Sequence, residues 1–196
     1  MQPIILASSS PYRQALRRRL GLDFVAAAPN IDETPLANEA PEALARRLAS
    51  GKARALNDRH NNALIIGSDQ VAWADGERLG KPGTFANALA QLQRSRGKTV
   101  TFYTGLCLYD SATGNEQLAV ELYQASFRDL TDTQLRNYLI REQPYDCAGS
   151  FKCEGLGITL FESLAGDDPN TLIGLPLIRL TSMLRKAGID PLANAT

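Results

Sequence analysis

Ala63-Leu64-Ile65-Ile66-Gly67 runs directly into Ser68-Asp69-Gln70. A short continuous apolar run of this kind reads as a strand buried on both faces, as in a sheet covered by helices. The reading sets a carboxylate, Asp69, just beyond the strand, where sheet-based folds gather ligands and catalytic groups. Asp69 there either holds a metal or activates water, or it is a turn acid bonded to nearby backbone. A turn is expected a few residues later, at Ala74-Asp75-Gly76.

Upstream, Pro41 to Asn57 has helical periodicity at Leu44, Leu48, Lys52 and Leu56. One member of that stripe is charged. The four-residue spacing puts the Lys52 ammonium on the apolar side next to Gly51, so it either meets an anion there or snorkels to water along its own stem. Arg47 and Arg54 read as ordinary solvated charges. Further upstream, Pro3-Ile4-Ile5-Leu6-Ala7 is a second apolar run, ending at Ser8-Ser9-Ser10-Pro11, a helix start with capping serines and proline in the first turn. That helix is expected to reach about Leu20, with Tyr12, Leu16 and Leu20 on one stripe and Gly21 as its stop. Phe24 to Ala28 reads as another strand. A loop around Asn30-Ile31-Asp32-Glu33-Thr34-Pro35 follows it.

Downstream, Phe85 to Arg94 is expected to be helical, and from Thr99 to Asp129 the pattern changes to β-branched and aromatic residues. Ser111-Ala112-Thr113-Gly114-Asn115 is the turn of a long hairpin there. Thr131-Asp132-Thr133-Gln134 is a capping box opening a helix with Leu135, Tyr138 and Leu139 inward, closed by Gln143-Pro144. A glycine-rich stretch from Ala148 to Gly157 leads to Ile158-Thr159-Leu160-Phe161. A last helix spans Leu175 to Lys186 and stops at Gly188, with a loose tail beyond Pro191. The elements describe a mixed α/β fold with an extended hairpin, taken as one domain over residues 1–196.

Composition excludes several classes. Lys plus Arg balances Asp plus Glu at 21 each, so no overall field draws the chain onto nucleic acid or an anionic membrane. Any anion must be bound locally. No window reaches the roughly 18 apolar residues of a membrane span, and the first residues lack a signal-peptide pattern. Cys107, Cys147 and Cys153 form no C-x-x-C pair, which suits a reducing, cytoplasmic setting. The single histidine, His60, sits in a polar loop, which argues against triads and histidine metal clusters.

The remaining polar motifs each admit two readings. Ser8-Ser9-Ser10-Pro11-Tyr12-Arg13 is either a phosphate cradle of backbone N–H groups, hydroxyls and one guanidinium, or a capped helix bearing a surface charge. Glu33 offers a second carboxylate to Asp69. Gly76-Glu77-Arg78-Leu79-Gly80-Lys81 lacks one residue of the P-loop spacing, and Pro82 stands where Ser or Thr should coordinate magnesium, so a Walker ATPase is rejected. Lys81 then lies in a constrained Gly-Lys-Pro turn. Cys147 to Gly155 packs glycines around polar groups, permitting close backbone approach to a ligand. The role of Asp167 and Asp168 stays open between site and cap.

Taken in order, Ser8-Ser9-Ser10-Pro11-x-Arg13, Asp32-Glu33, Lys52, Gly67-Ser68-Asp69-Gln70-Val71, Gly80-Lys81-Pro82, Ala148-Gly149-Ser150-Phe151 and Asn170-Thr171-Leu172-Ile173-Gly174-Leu175-Pro176-Leu177 closely resemble the Maf family across nearly the whole chain. The resemblance implies a Maf/ITPase-like mixed sheet with flanking helices, two lobes around a central cleft, and hydrolysis of a nucleoside triphosphate between its α and β phosphates. By position it implies that Ser8, Arg13, Lys52 and Lys81 neutralise the triphosphate. It also implies that Glu33 and Asp69 hold a divalent cation, magnesium or manganese, and that Asp69 acts as general base. Tyr12, Gln70 and Glu154 stand at its substrate-choice positions. The branch this chain looks most like prefers N7-methyl-GTP, and the other principal branch hydrolyses dTTP and UTP. Glu154 favours the first, because a carboxylate accepts from the guanine N1–H and 2-amino group and confronts pyrimidine carbonyls with like polarity. Tyr rather than Trp at position 12 departs from that branch and weakens stacking on the cationic base. A non-catalytic nucleotide-binding regulator of septum formation is the alternative from another class. A nucleotide is the expected partner, a homodimer is left open, and neither nucleic acid nor membrane is expected.

Overall fold

The computed structural model describes residues 2–193. Its strands are β1 (Ile4–Ala7), β2 (Phe24–Ala27), β3 (Leu64–Ala74), β4 (Glu77–Leu79), β5 (Thr99–Asp110), β6 (Glu116–Phe127) and β7 (Phe161–Ala165). They form a mixed sheet in the order β2-β1-β3-β5-β6-β7, with β4 paired to β3. β1 is parallel to both β2 and β3, with Ile4 opposite Phe24 and Leu64. β4 runs antiparallel to β3, and β7 to β6. Only residues 111–115 join β5 to β6, too few for a parallel crossover, so that pair is a hairpin. The helices are α1 (Pro11–Arg17), α2 (Pro41–Arg54), α3 (Phe85–Ser95), α4 (Asp132–Glu142), the one-turn α5 (Asn170–Ile173) and α6 (Leu177–Lys186). Among the described residues no helix is long and apolar enough to cross a membrane.

The chain divides into two compact units. One comprises Met1–Gln70, Thr104–Glu121 and Asp168–Thr196, the other Val71–Tyr103 and Leu122–Asp167. In the first, strand alternation sorts the core onto two faces. Ile4, Leu6, Leu64, Ile66, Leu106 and Leu108 point one way, onto Leu16 of α1 and Leu180, Met183 and Leu184 of α6. Ile5, Ala7, Ile65 and Cys107 point the other way, onto Ala49 and Ala53 of α2. The second unit gathers Phe102, Phe127, Phe151 and Phe161 into edge-to-face contacts, the closest pairs with ring centroids 4.8 Å apart.

Two glycines set the distance between α2 and the sheet. A Cβ on Gly67 of β3 would sit 2.1 Å from the Ala49 carbonyl oxygen, and one on Gly105 of β5 would sit 2.1 Å from that of Ala45. Only hydrogen fits at either place, so the helix backbone lies directly on the strands.

Most expected elements are present, with instructive differences. The first helix gives way to a 3-10 turn at Arg18–Leu20, and the strand expected to Ala28 ends at Ala27. The last helix begins two residues later than expected, at Leu177 after Pro176, and a separate one-turn α5 precedes it, ended by Gly174 at φ 107°. The expected strand at residues 63–67 is much longer. β3 continues to Ala74, so Asp69 lies within the strand and not beyond it. Its polar residues are tolerated there because each is satisfied, as described below. The turn after it is tight, with Asp75 and Gly76 at φ 50° and 80°, the double positive φ of a two-residue hairpin turn. The capping box is fully formed, Thr131 accepting from the Gln134 amide and Gln134 accepting from the Thr131 amide. Of the loose tail, residues 194–196 lie outside the described residues, while Leu192 is 87% exposed.

Candidate active site

Asp69, Lys52 and Glu33 meet in the first unit. Residue parity along β3 turns Gly67 and Asp69 toward α2, and the missing Cβ of Gly67 lets α2 settle so close that Lys52 reaches the next inward side chain. Its Nζ donates to Asp69 Oδ1 at 2.6 Å and lies 2.9 Å from Glu33 Oε1. Lys52 is 6% and Asp69 7% exposed, whereas the Glu33 side chain is 55% exposed. Of the two readings of Lys52, the anion partner is the correct one. Burying an ammonium costs several kcal/mol unless it is paired, and two carboxylates share this one. Their oxygens are therefore no farther apart than the sum of those two contacts.

The opposite parity turns Ser68 and Gln70 to the other face. Ser68 Oγ, fully buried, stands 2.8 Å from both the Gly105 and the Gly174 carbonyl oxygens, able to donate to one at a time. Gln70 Nε2 contacts Thr104 Oγ1 at 3.0 Å and the carbonyls of Thr171 and Leu172 at 2.7 and 3.2 Å. The carbonyls of α5 and Gly174 thus organise that face. Arg13 joins them, its Nε donating to Gly174 O at 2.8 Å. Gly174 cannot be replaced freely, since a Cβ there would lie 3.2 Å from Arg13 Nε at a φ that side chains resist. Arg13 is half-buried. Withdrawal from water lowers its proton affinity below the ordinary arginine value, and the negative charges of Asp69 and Glu33 oppose that shift.

Asp168 holds this turn through both carboxylate oxygens. Its Oδ1 accepts from the amide and side chain of Asn170 at 2.8 and 2.6 Å, and its Oδ2 accepts from the Ile178 amide at 2.8 Å. Buried and fully engaged, it is a cap joining α5 to α6. Ser8 and Ser10 also serve the start of α1. Ser8 Oγ accepts from the Ser10 amide at 3.1 Å, and Ser10 Oγ lies 3.4 Å from the Arg13 amide. Tyr12 is half-buried on the same helix.

Lys81 and Glu154 belong to the second unit, and both are exposed. The Gly80-Lys81-Pro82 backbone is fixed by α3, Gln91 Nε2 donating to Gly80 O and Asn87 Nδ2 to Pro82 O, each at 3.0 Å. Ser150 Oγ in turn donates to Gln91 Oε1, a buried serine held at φ 64°. Behind Glu154, Glu142 Oε2 of α4 accepts the Leu156 amide at 2.8 Å. Burial pushes the Cys153 thiol up to about 12, and its contact with Glu154 adds to the shift. No group of three or more His, Cys, Asp or Glu side chains clusters among the described residues.

Two residues expected to be plain solvated charges are not. Arg47 forks onto Glu39, with Nε to Oε1 at 2.6 Å and Nη2 to Oε2 at 2.7 Å. Arg54 pairs with Glu116 and lies over the Tyr109 ring, 4.8 Å from its centroid. Periodicity gives no signal for either, because their partners lie in a loop and on a distant strand.

The family model described as Maf-like protein matches residues 3–187. A 7-methyl-GTP pyrophosphatase of Nitrosococcus oceani is 58% identical over 185 residues, covering 94% of this chain and 93% of the relative. One of the same name from Colwellia psychrerythraea is 54% identical over 193 residues, covering 98% and 96%. Among solved structures, a HAM1 protein from Coxiella burnetii matches with TM-score 0.53 at 15% identity, covering 95% of this chain and all of that one, a likeness of fold alone.

Proposed function

Because the chain belongs to the Maf family, we propose that it is a nucleoside triphosphate pyrophosphatase converting N7-methyl-GTP and water to N7-methyl-GMP and pyrophosphate. The observation that carries the reading is the buried Lys52 ammonium shared by Asp69 and Glu33, in a chain more than half identical to relatives named for that substrate.

The donor set fits a divalent cation. Two adjacent carboxylates offer hard oxygen atoms suited to magnesium or manganese, with phosphate oxygens and waters completing the shell. When bound, such a cation polarises the phosphoryl oxygens and offsets their charge. Asp69 and Glu33 are the residues that would hold it.

The other steps fall to side chains. Asp69 takes a proton from the attacking water, whose oxygen bonds to the α-phosphorus as the bond to the bridging oxygen breaks. Lys52 holds Asp69 in place and adds positive charge where the α-phosphoryl group gathers negative charge. Arg13, aimed by the Gly174 carbonyl, and Ser8 and Lys81 bind phosphate oxygens. Tyr12 stacks on the base, Glu154 accepts from the guanine edge, and Gln70 acts through the α5 turn to which it is tied.

Asp69→Asn keeps the shape and removes the base and a metal ligand. Its kcat/KM on N7-methyl-GTP with added manganese is expected to fall on the order of a thousandfold or more, and its melting temperature to fall as well, because the buried Lys52 ammonium keeps only the half-exposed Glu33 as a charged partner. Wild-type turnover in that variant rejects the mechanism. A panel including UTP and dTTP tests the substrate, faster turnover of UTP moving the chain to the other branch. No pyrophosphate released from any triphosphate leaves the non-catalytic reading.

A further inference from the structure

Glu33 stands on a loop without helix or strand, from residue 28 to 40, yet it reaches a buried ammonium. Its attraction to Lys52 alone is a weak tether. The Glu33 side chain is more than half exposed, where screened ion pairs contribute little, and ordering a loop costs conformational entropy at every residue.

Helix α2 supplies the other attachments. Ile31 packs on Gly51, where a Cβ would lie 3.4 Å from its Cδ1. On the far side of Glu33, Arg47 Nη2 donates to the Thr34 carbonyl at 3.1 Å. That same nitrogen is shared with Glu39 Oε2 while Nε takes Oε1, and Glu39 Oε2 also accepts the Leu36 amide at 3.0 Å. One guanidinium therefore clamps the loop at two places, residues 34 and 39, from the helix that also bears Lys52. The planar fork is needed for this, because a lysine ammonium cannot hold both oxygens of Glu39 in fixed directions and still meet Thr34.

We propose that Arg47, locked by Glu39, is a positioning residue of the divalent-cation site, fixing the backbone beside Glu33 so that its carboxylate stays beside Asp69. The inference rests on the reading of Glu33 as a metal ligand. Changing a group that orients a metal ligand costs roughly ten- to a hundredfold in metal affinity.

The test is manganese binding to the full chain without nucleotide, read by the electron paramagnetic resonance of free Mn²⁺. Arg47→Met is expected to weaken binding roughly tenfold, and Glu33→Gln to weaken it as well. The double variant should bind no more weakly than Glu33→Gln alone, because Arg47 acts only through that carboxylate. Wild-type affinity in Arg47→Met, or losses that multiply in the double variant, overturn the positioning role. Wild-type affinity in Glu33→Gln instead overturns the ligand reading beneath it. Should Arg47→Met fail to fold, Glu39→Gln takes its place with the same expectations, since it breaks the fork and leaves the cation.

Discussion

Lys52 and Lys81 bring the same charge to two unlike settings. Lys52 is buried on a helix, and its ammonium is fixed by two carboxylates. Lys81 is exposed on a loop whose backbone is fixed by Gln91 and Asn87 while its side chain reaches outward. The first is oriented before any ligand arrives. On the proposed reading of Lys81 as a phosphate contact, fixing the second costs rotamer entropy when the ligand binds. Removing each should therefore separate activity from stability.

Lys52→Met leaves Asp69 buried without its partner, a change that costs about 3 kcal/mol where one member of a buried pair is removed. Glu33 recovers hydration because it is half in water. Lys81→Ala, at an exposed position, should change stability by less than about 0.5 kcal/mol. Both should lower kcat/KM by roughly a hundredfold, as loss of a charged phosphate contact does. Chemical denaturation beside steady-state kinetics separates the two. Equal stability loss at both positions would erase the contrast.

Gly67→Ala probes the same contrast without removing a charge. Its new methyl group meets the Ala49 carbonyl oxygen and the Ala53 amide nitrogen, at 2.1 and 2.8 Å, so α2 must move off β3. Overpacking of this kind costs about 2 to 3 kcal/mol. It should also cost activity, because Lys52 rides on the displaced helix and a small misplacement of a catalytic group is expensive. Lys81, on its own loop, should be unaffected. A variant that loses stability but keeps full kcat/KM would mean that Lys52 works as a diffuse charge.

These glycines also mark where the sequence was readable. Four-residue spacing placed Lys52 on the inward stripe of α2, and its buried companions Leu44 and Leu48 are where that spacing put them. The strand core at Leu64 to Ile66 was legible as an apolar run. Its continuation was not, because Ser68, Asp69 and Gln70 look like a loop until the fold brings carbonyls from β5, α5 and Gly174 to Ser68 and Gln70 and the Lys52 ammonium to Asp69. Asp168 was ambiguous for a similar reason. A cap and a ligand carry the same carboxylate, and only the Ile178 amide ten residues on distinguishes them. Arg47 was silent, since its partners lie on an aperiodic loop. Glu33 could be read only as a second carboxylate whose case depended on Asp69, for loop acids are usually solvated.

The loop bearing Glu33 makes the smallest prediction and the one most specific in form. Hydrogen bonds from Arg47 hold the Glu39 carboxyl down at about 2 from an ordinary 4.5, with burial opposing and the Leu36 amide assisting. The folded state thus binds this proton more weakly than the unfolded one. The stabilisation is complete above about pH 4.5 and is lost as pH falls toward 2. Arg47 is about a third exposed, so solvent screening reduces the contribution to the order of 1 kcal/mol. Glu39→Gln should accordingly melt a few degrees lower than wild type at neutral pH, and the two curves should converge as the buffer is acidified. Asp32, also held low by its Thr34 hydrogen bonds, is present in both proteins and cancels in the difference. Curves that coincide from neutral pH down to 2 would mean that the fork adds nothing to the folded state, and Glu33 would then rest on Lys52 and Ile31 alone.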